Sequence, residues 1–356
     1  MATHVLDQTK QEAFVGQMLD VINGSSLAMM ASIGHQTGLF DTMADLPPSP
    51  SAEIARAAGL DERYVREWLA AMVTGRIVDY DPIADTYALP LEHAASLTRA
   101  AGPDNLAFFT QYVALMGIVE QQVVASFRHG GGVPYAAYPR FQQLQAEETG
   151  RVYDATLIDL VLPLVPGLVE RLERGIDVLD VGCGSGHAIN LIARAFPNSR
   201  CTGYDLSADG VAAAQAEAAR LGLANARFEV NDIATLDGAA RFDVITAFDV
   251  IHDLARPATV LEAIYAALRP GGIFLMQDIA GSSHLHENLE HPLAATLYTY
   301  STMHCMTVSL AQGGEGLGTM WGEQKARQML DEAGFTLHSV EQVPGDILNN
   351  YYIAAK

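Results

Sequence analysis

The sequence predicts an α/β protein, with a doubly wound, mainly parallel sheet in its C-terminal half and a mainly helical N-terminal half. Three observations predict it. From residue 176 onward, short apolar runs alternate with helical patterns, as in a parallel sheet covered on both faces. One run, "DVLDV", passes directly into glycines at 182, 184 and 186 and then into a helical pattern opening at His187. Before residue 176 the apolar positions recur mostly at helix spacing.

The N-terminal elements follow in order. Residues 12–46 read as helical, with Phe14, Met18, Ile22, Leu27 and Met30 near a helix repeat, until the break "LPPSPS". Ser51 and Glu53 open a short helix that Gly59 ends, and Asp61 caps a second helix carrying Val65, Trp68, Leu69 and Met72. Two β runs, 77–80 and 86–89, flank a turn at Asp81-Pro82. Helix, turn, helix and small hairpin make a winged-helix module. Its second helix reads DERYVREWLAAM, with three acids against two arginines, and the wing offers Asp79, Asp81 and Asp85. That charge opposes a DNA backbone, so a scaffold role is expected. Residues 103–174 read as helical and aromatic, interrupted by "RHGGGVPYAAYPR". The expected organisation is a winged-helix domain at 1–100, a helical linker and pocket wall at 101–170, and a sheet domain at 171–356 with an insertion at 280–322.

In the sheet domain, strands are expected at 177–181, 200–204, 227–230, 242–247 and 272–277, with helices at 187–195, 208–221 and 258–268. Two β runs around Pro344-Gly345 suggest a terminal antiparallel hairpin.

Composition limits the function classes. The 356 residues are 49% hydrophobic and 18% charged, ordinary for a globular protein, with a formal charge of −21. Such a surface repels nucleic acid and anionic lipid, so neither is an expected partner. Three scattered cysteines offer no disulfide framework or metal knot. The first residues, MATHVLDQTKQEAF, lack the basic flank and apolar core of a signal peptide, and the apolar window 157–169 is too short to span a bilayer. The expected compartment is the cytoplasm.

The glycine turn selects a ligand. Dinucleotide sites use GxGxxG and rest a pyrophosphate on the helix N-terminus. Here the spacing is GxGxG, through Gly182, Gly184 and Gly186, and Asp180 lies in the strand leading into it. A carboxylate opposes a pyrophosphate but suits a cation. S-adenosylmethionine carries a sulfonium and an ammonium and no phosphate.

With "GYDL", "VNDI", "FDVITAFDVIHDL", "ALRPGGIFLMQD" and the terminal hairpin, the chain resembles the class I S-adenosylmethionine-dependent methyltransferases across roughly residues 170–280 and 323–356. The resemblance implies a Rossmann-like seven-stranded methyltransferase sheet. It implies that Asp205 grips the ribose hydroxyls beside Leu206, and that Asp232 accepts from the adenine amino group between Asn231 and Ile233. It also puts Phe248 and Asp249 at the cofactor. Phe248 stands where some relatives place a lysine. The N-terminal half is similar in arrangement to small-molecule O-methyltransferases of a bacterial branch, whose winged-helix domain serves dimerisation. This implies a homodimer.

In-line methyl transfer requires an aligned acceptor and, for a protonated acceptor, a base. His252 occupies the place of the catalytic histidine in that group, and Asp278 matches an acidic position that orients it, with Asp253 a weaker candidate. Two readings of His252 stand: general base, or packing against the cofactor. His304, in the insertion, is a second base candidate with Glu315 as a partner, against a core role. Tyr298, Met303, Met306 and Trp321 are expected to face a flat acceptor. His284, His286 and His291 with Glu287 and Glu290 read as a solvated helix entry, so no metal is expected. The resulting expectation is methyl transfer to a small aromatic or heteroaromatic acceptor, oxygen favoured. The alternatives are a non-methylating cyclase or decarboxylase that holds the same cofactor, and a cofactor-sensing regulator.

Overall fold

The structure is a computed structural model in which residues 6–236 and 239–356 are described. The reading of the first residues therefore falls partly on 1–5, outside the described residues. The chain divides into two compact units, Met1–Gly117 and Ile118–Lys356. The division lies inside one helix, so the helical stretch expected at 101–170 contributes to both.

The first unit begins with helices α1 (Gln8–Thr37), α2 (Leu39–Asp45), α3 (Ser51–Ala58) and α4 (Glu62–Thr74). A two-stranded antiparallel wing follows, β1 (Asp79–Asp81) and β2 (Thr86–Ala88), then α5 (Leu91–Leu97) and the start of α6 (Leu106–His129). The helix expected over 12–46 breaks at Gly38, whose φ of 73° lets its N–H close back on the carbonyls of Gly34 and His35. Asp61 caps α4 through the N–H groups of Arg63 and Tyr64. The core packs Phe40, Ile54, Trp68, Leu69 and Met72, and the Trp68 indole donates to the Met30 carbonyl at 2.8 Å. By contrast, Phe14, Met18, Leu19, Val21 and Ile22 of α1 are exposed.

The second unit carries α7 (Phe141–Thr156), α8 (Leu168–Arg174), β3 (Asp177–Val181), α9 (His187–Ala195), β4 (Arg200–Asp205), α10 (Ala208–Leu221), β5 (Ala226–Val230) and β6 (Phe242–Phe248). After these come α11 (Pro257–Ala267), β7 (Leu268–Ile279), α12 (Ala294–Tyr300), α13 (Met306–Ala311), α14 (Gly322–Glu332), β8 (Thr336–Glu341) and β9 (Asn349–Ala355). The sheet has seven strands in the order β5-β4-β3-β6-β7-β9-β8. The first five are parallel, and β9 and β8 form the antiparallel edge. The strands fall close to their expected places because each is an apolar run closed by Gly, Asp or Pro. The exception is β7, which starts four residues early as Leu268 pairs with Phe242. Asp278 is the next-to-last residue of the strand, opposite Asn350.

Val178, Leu179, Asp180 and Val181 of β3 are all buried, as a central strand covered on both faces requires. Strand order reverses between β3 and β6: chain excursions from β3 run one way through β4 and β5, and from β6 the other way. A crevice opens at the carboxyl ends of such a pair, and the fold places ligands there. Among the described residues, no single helix is long and apolar enough to cross a membrane.

Candidate active site

The glycine turn leaves β3 at that crevice. Gly182, Gly184 and Gly186 all have left-handed φ values, of 67°, 53° and 75°. Their surroundings separate two roles. A Cβ on Gly186 would lie 2.4 Å from the Ala214 Cβ, so this glycine lets α9 pack on α10. A Cβ on Gly184 would meet nothing within 4 Å, so its backbone faces open space that a ligand can approach. The Gly184 N–H donates to Asp205 Oδ2 at 2.8 Å, and the other oxygen of Asp205 accepts from Ser207 N at 2.7 Å. Asp205 is thereby fixed at the end of β4, over the glycine turn.

Five more expected residues line up along the strand ends. Asn231 donates its backbone N–H to the Asp205 carbonyl at 3.0 Å. Asp232 caps the short turn Ile233–Thr235, accepting from Ala234 N at 3.0 Å, and faces Arg256 at 3.4 Å. Ile233 is buried, whereas Leu206 is 62% exposed. Phe248 packs on Tyr153 with ring centres 5.1 Å apart.

Asp180 and Asp249 are the unusual acids. Asp180 is buried in a central strand, where Thr246 donates to its Oδ1 at 2.6 Å. Loss of solvent pushes its acidity constant up to about 7, partly offset by Thr246 and reinforced by Asp205. Asp249 has a φ of 55°, rare for a residue with a Cβ. Burial, with the charge of Asp278 behind it, raises its acidity constant well above the carboxylate range. Gln277 Nε2 donates to Asp249 Oδ2 at 2.9 Å, and the Tyr153 hydroxyl donates to Gln277 Oε1. Oδ1 of Asp249 is buried and makes no hydrogen bond among the described residues. Sequence reasoning missed Tyr153, Gln277 and Thr246. Only the polar residue among apolar neighbours in "LMQDI" hinted at Gln277.

His252 stands on the turn Ile251–Asp253 after β6 and is 4% exposed. Its Nδ1 lies 2.8 Å from Asp278 Oδ1. The same oxygen accepts from Trp321 Nε1 at 2.9 Å and from Ile279 N at 2.8 Å. Three N–H groups thus hold the carboxylate that orients the ring. Asp253 Oδ1 lies 3.3 Å from His252 Nε2. Burial alone would strip the imidazolium of its proton, but Asp278 and Asp253 outweigh it, and the acidity constant rises well above the usual histidine value. Trp321, expected to face an acceptor, instead lies buried against Asp278.

His304 sits on a π-helical turn, Ser301–Cys305, and is 1% exposed. It stacks on Phe141 with ring centres 3.9 Å apart, and Tyr135 and Tyr138 close its sides. Burial pushes its acidity constant down to about 4, so it is neutral at pH 7 and a weak base. Its Nε2 makes no hydrogen bond, to Glu315 or to anything else among the described residues. His284 and His286 stack on each other with ring centres 5.9 Å apart, on a solvent-facing turn.

Comparison with known proteins agrees with this geometry. Residues 25–99 match the family model of the Rv2258c-like winged HTH domain, and residues 172–334 match that of a methyltransferase domain. The chain therefore joins a winged HTH domain to a class I methyltransferase domain with a Rossmann-like fold. A stretch covering 35% of the chain is 34% identical to 45% of the trans-aconitate 2-methyltransferase of Deinococcus radiodurans. The chain spans less than half the length of that relative. Among solved structures, the mitomycin 7-O-methyltransferase MmcR superposes with a TM-score of 0.73 at 18% identity, covering 98% of this chain and all of that one. Human N-acetylserotonin methyltransferase, solved in complex with S-adenosylmethionine, superposes with a TM-score of 0.69 at 19% identity, covering 100% of this chain and 99% of that one.

Proposed function

We propose that the protein transfers the methyl group of S-adenosylmethionine to the oxygen of a small aromatic or heteroaromatic acceptor. The pairing of His252 with Asp278, at the strand ends that also carry the glycine turn, supports this reading most directly. The residues present suit the cofactor: Gly184 leaves room for it, Asp205 and Asp232 stand where its ribose and adenine need acceptors, and Asp180 and Asp249 are buried acids that a cation would relieve. The cofactor supplies an activated methyl group on a sulfonium. Asp278 holds His252 Nδ1–H and presents Nε2 as the proton acceptor for the substrate hydroxyl. Asp278 and Asp253 favour the protonated form of His252, so it must shed a proton before it can act. A positive cofactor nearby favours that loss. His304, neutral and boxed by aromatic rings, suits a pocket wall better than a base.

The same reading gives the protein a homodimeric state through α1, whose exposed apolar residues support a protein partner, and an acidic second helix argues against DNA. The test is His252→Ala assayed with methyl-labelled cofactor and a panel of phenols. Turnover should fall about 10²–10⁴-fold while cofactor affinity holds, and the fall should be smallest for phenols already ionised. Full turnover with un-ionised phenols would remove His252 as base. No label in any product with the unaltered enzyme would remove methyl transfer itself.

A further inference from the structure

Beside the proposed base lies a cluster of which the methyl-transfer reading uses only His252. A ring nitrogen of His252, a carboxylate oxygen of Asp253 and Sγ of Cys305 all lie within 4.8 Å of one another. They come from two elements: the turn after β6 supplies the first two, and the π-helical turn Ser301–Cys305 supplies the thiol. Such turns occur in helices mainly where a side chain must be aimed at a functional site.

The geometry of the pair within the cluster is informative. Asp253 Oδ1 is buried and 3.3 Å from His252 Nε2, yet it makes no hydrogen bond among the described residues. The two atoms stand side by side, not in line as donor and acceptor. Two ligands of one tetrahedral zinc ion, each about 2.0–2.1 Å from the metal, stand about 3.3 Å apart. The separation therefore equals the edge of a zinc coordination shell. The rear of the imidazole is also arranged as metal sites require, because Nδ1 is bound to a buried carboxylate, Asp278, that fixes ring orientation. Asp253 and Cys305 are each partly buried as residues, whereas His252 is buried.

We propose that His252, Asp253 and Cys305 form a three-ligand site for one thiophilic divalent cation, zinc by the chemistry of its nitrogen, oxygen and sulfur donors. The fourth position is open, as in zinc sites that bind water or a substrate atom. Binding releases the Nε2 proton of His252 and the thiol proton of Cys305 to solvent and forms zinc–nitrogen, zinc–oxygen and zinc–sulfur bonds with no change of oxidation state. The ion occupies Nε2, so on the reading given above a zinc-loaded molecule cannot use His252 as a base.

The experiment is a titration of chelator-treated, tag-free, full-length protein with cobalt(II), followed by competition with zinc. One equivalent should bind with a near-ultraviolet sulfur-to-cobalt charge-transfer band, and zinc should displace it. Cys305→Ser should abolish the band. Asp253→Asn, at a partly exposed position, should keep the band and weaken binding at least tenfold. A His284→Gln/His286→Gln variant should leave both unchanged. Absence of the band in the unaltered protein, or its persistence in Cys305→Ser, overturns the site. Turnover should fall in step with zinc occupancy. Full turnover at full occupancy overturns the exclusion between metal and base. The cobalt titration uses no methyl acceptor, so its failure leaves the methyl-transfer reading intact.

Discussion

The buried acids predict that cofactor binding expels protons. Asp180, with an acidity constant of about 7, is half protonated at pH 7. A unit positive charge about 6 Å away, at an effective dielectric of about 20, stabilises its ionised form by about 2.8 kcal/mol, or about 2 pH units. The bound-state value then lies near ~5, so binding should release about 0.8 proton from Asp180 at pH 6, about 0.5 at pH 7 and about 0.1 at pH 8. Because the bound form is the ionised one, affinity rises with pH. Between pH 6 and pH 8 the dissociation constant should fall about ninefold from this group alone. The assay is calorimetry in buffers of different ionisation enthalpy, where the slope of observed heat against buffer heat counts protons. Asp180→Asn should lower the release by the amounts given and flatten the affinity profile. Release that remains in that variant falls to Asp249 and His252, both of which the surroundings hold in their protonated forms. Proton uptake, or a release unchanged in Asp180→Asn, would refute the idea that the crevice is built for a cation.

Three further outcomes follow from particular contacts. Trp321→Phe deletes one of the three donors on Asp278 and loosens the ring behind it; kcat should fall about tenfold, as losing about 1.5 kcal/mol of hydrogen bonding implies, with cofactor KM unchanged. An equal rise in KM would make Trp321 a general packing residue instead. Gly186→Ala places a Cβ 2.4 Å from Ala214 at a left-handed φ, so denaturant unfolding should show a loss of about 1–3 kcal/mol, and an unchanged midpoint would contradict the α9–α10 packing account. Ile22→Asp should convert a dimer to the 38.2 kDa monomer in light-scattering chromatography, and a monomeric unaltered protein would end the dimer proposal.

What was legible in the sequence is what leaves a local signature. A buried parallel strand shows itself as an uninterrupted apolar run, and a left-handed turn calls for glycine, so β3 and its turn could be placed to the residue. His252 and Asp278 were picked out by the resemblance, through the motifs "FDVITAFDVIHDL" and "ALRPGGIFLMQD". The rest depends on distant residues meeting. Tyr153 and Gln277 are 124 residues apart, and Trp321 and Asp278 are 43 apart, so no periodicity links them. Trp321 read as acceptor surface because an aromatic in a glycine-rich insertion offers no hint that its N–H has a buried partner. Cys305 carried one weak signal, its place beside a base candidate in "MHCM". The π-helical turn that aims it cannot be read from helix spacing.

The positions of the acids bear on why the crevice takes a cation at all. Asp180, Asp249, Asp253 and Asp278 lie at or just beyond the ends of neighbouring strands, with the His252 imidazole bound to Asp278. Burying a carboxyl group without a partner is unfavourable, and Asp249 adds a left-handed backbone to that cost, about 1–3 kcal/mol for such a conformation. A neutral ligand would leave these groups protonated or strained. A ligand with fixed positive charge converts the same groups from a liability into binding energy, and it does so most where solvent is excluded. The arrangement also makes discrimination intrinsic. On the proposed reading, loss of the methyl group removes the sulfonium charge and leaves only the ammonium, so the spent cofactor should be held less tightly than the loaded one.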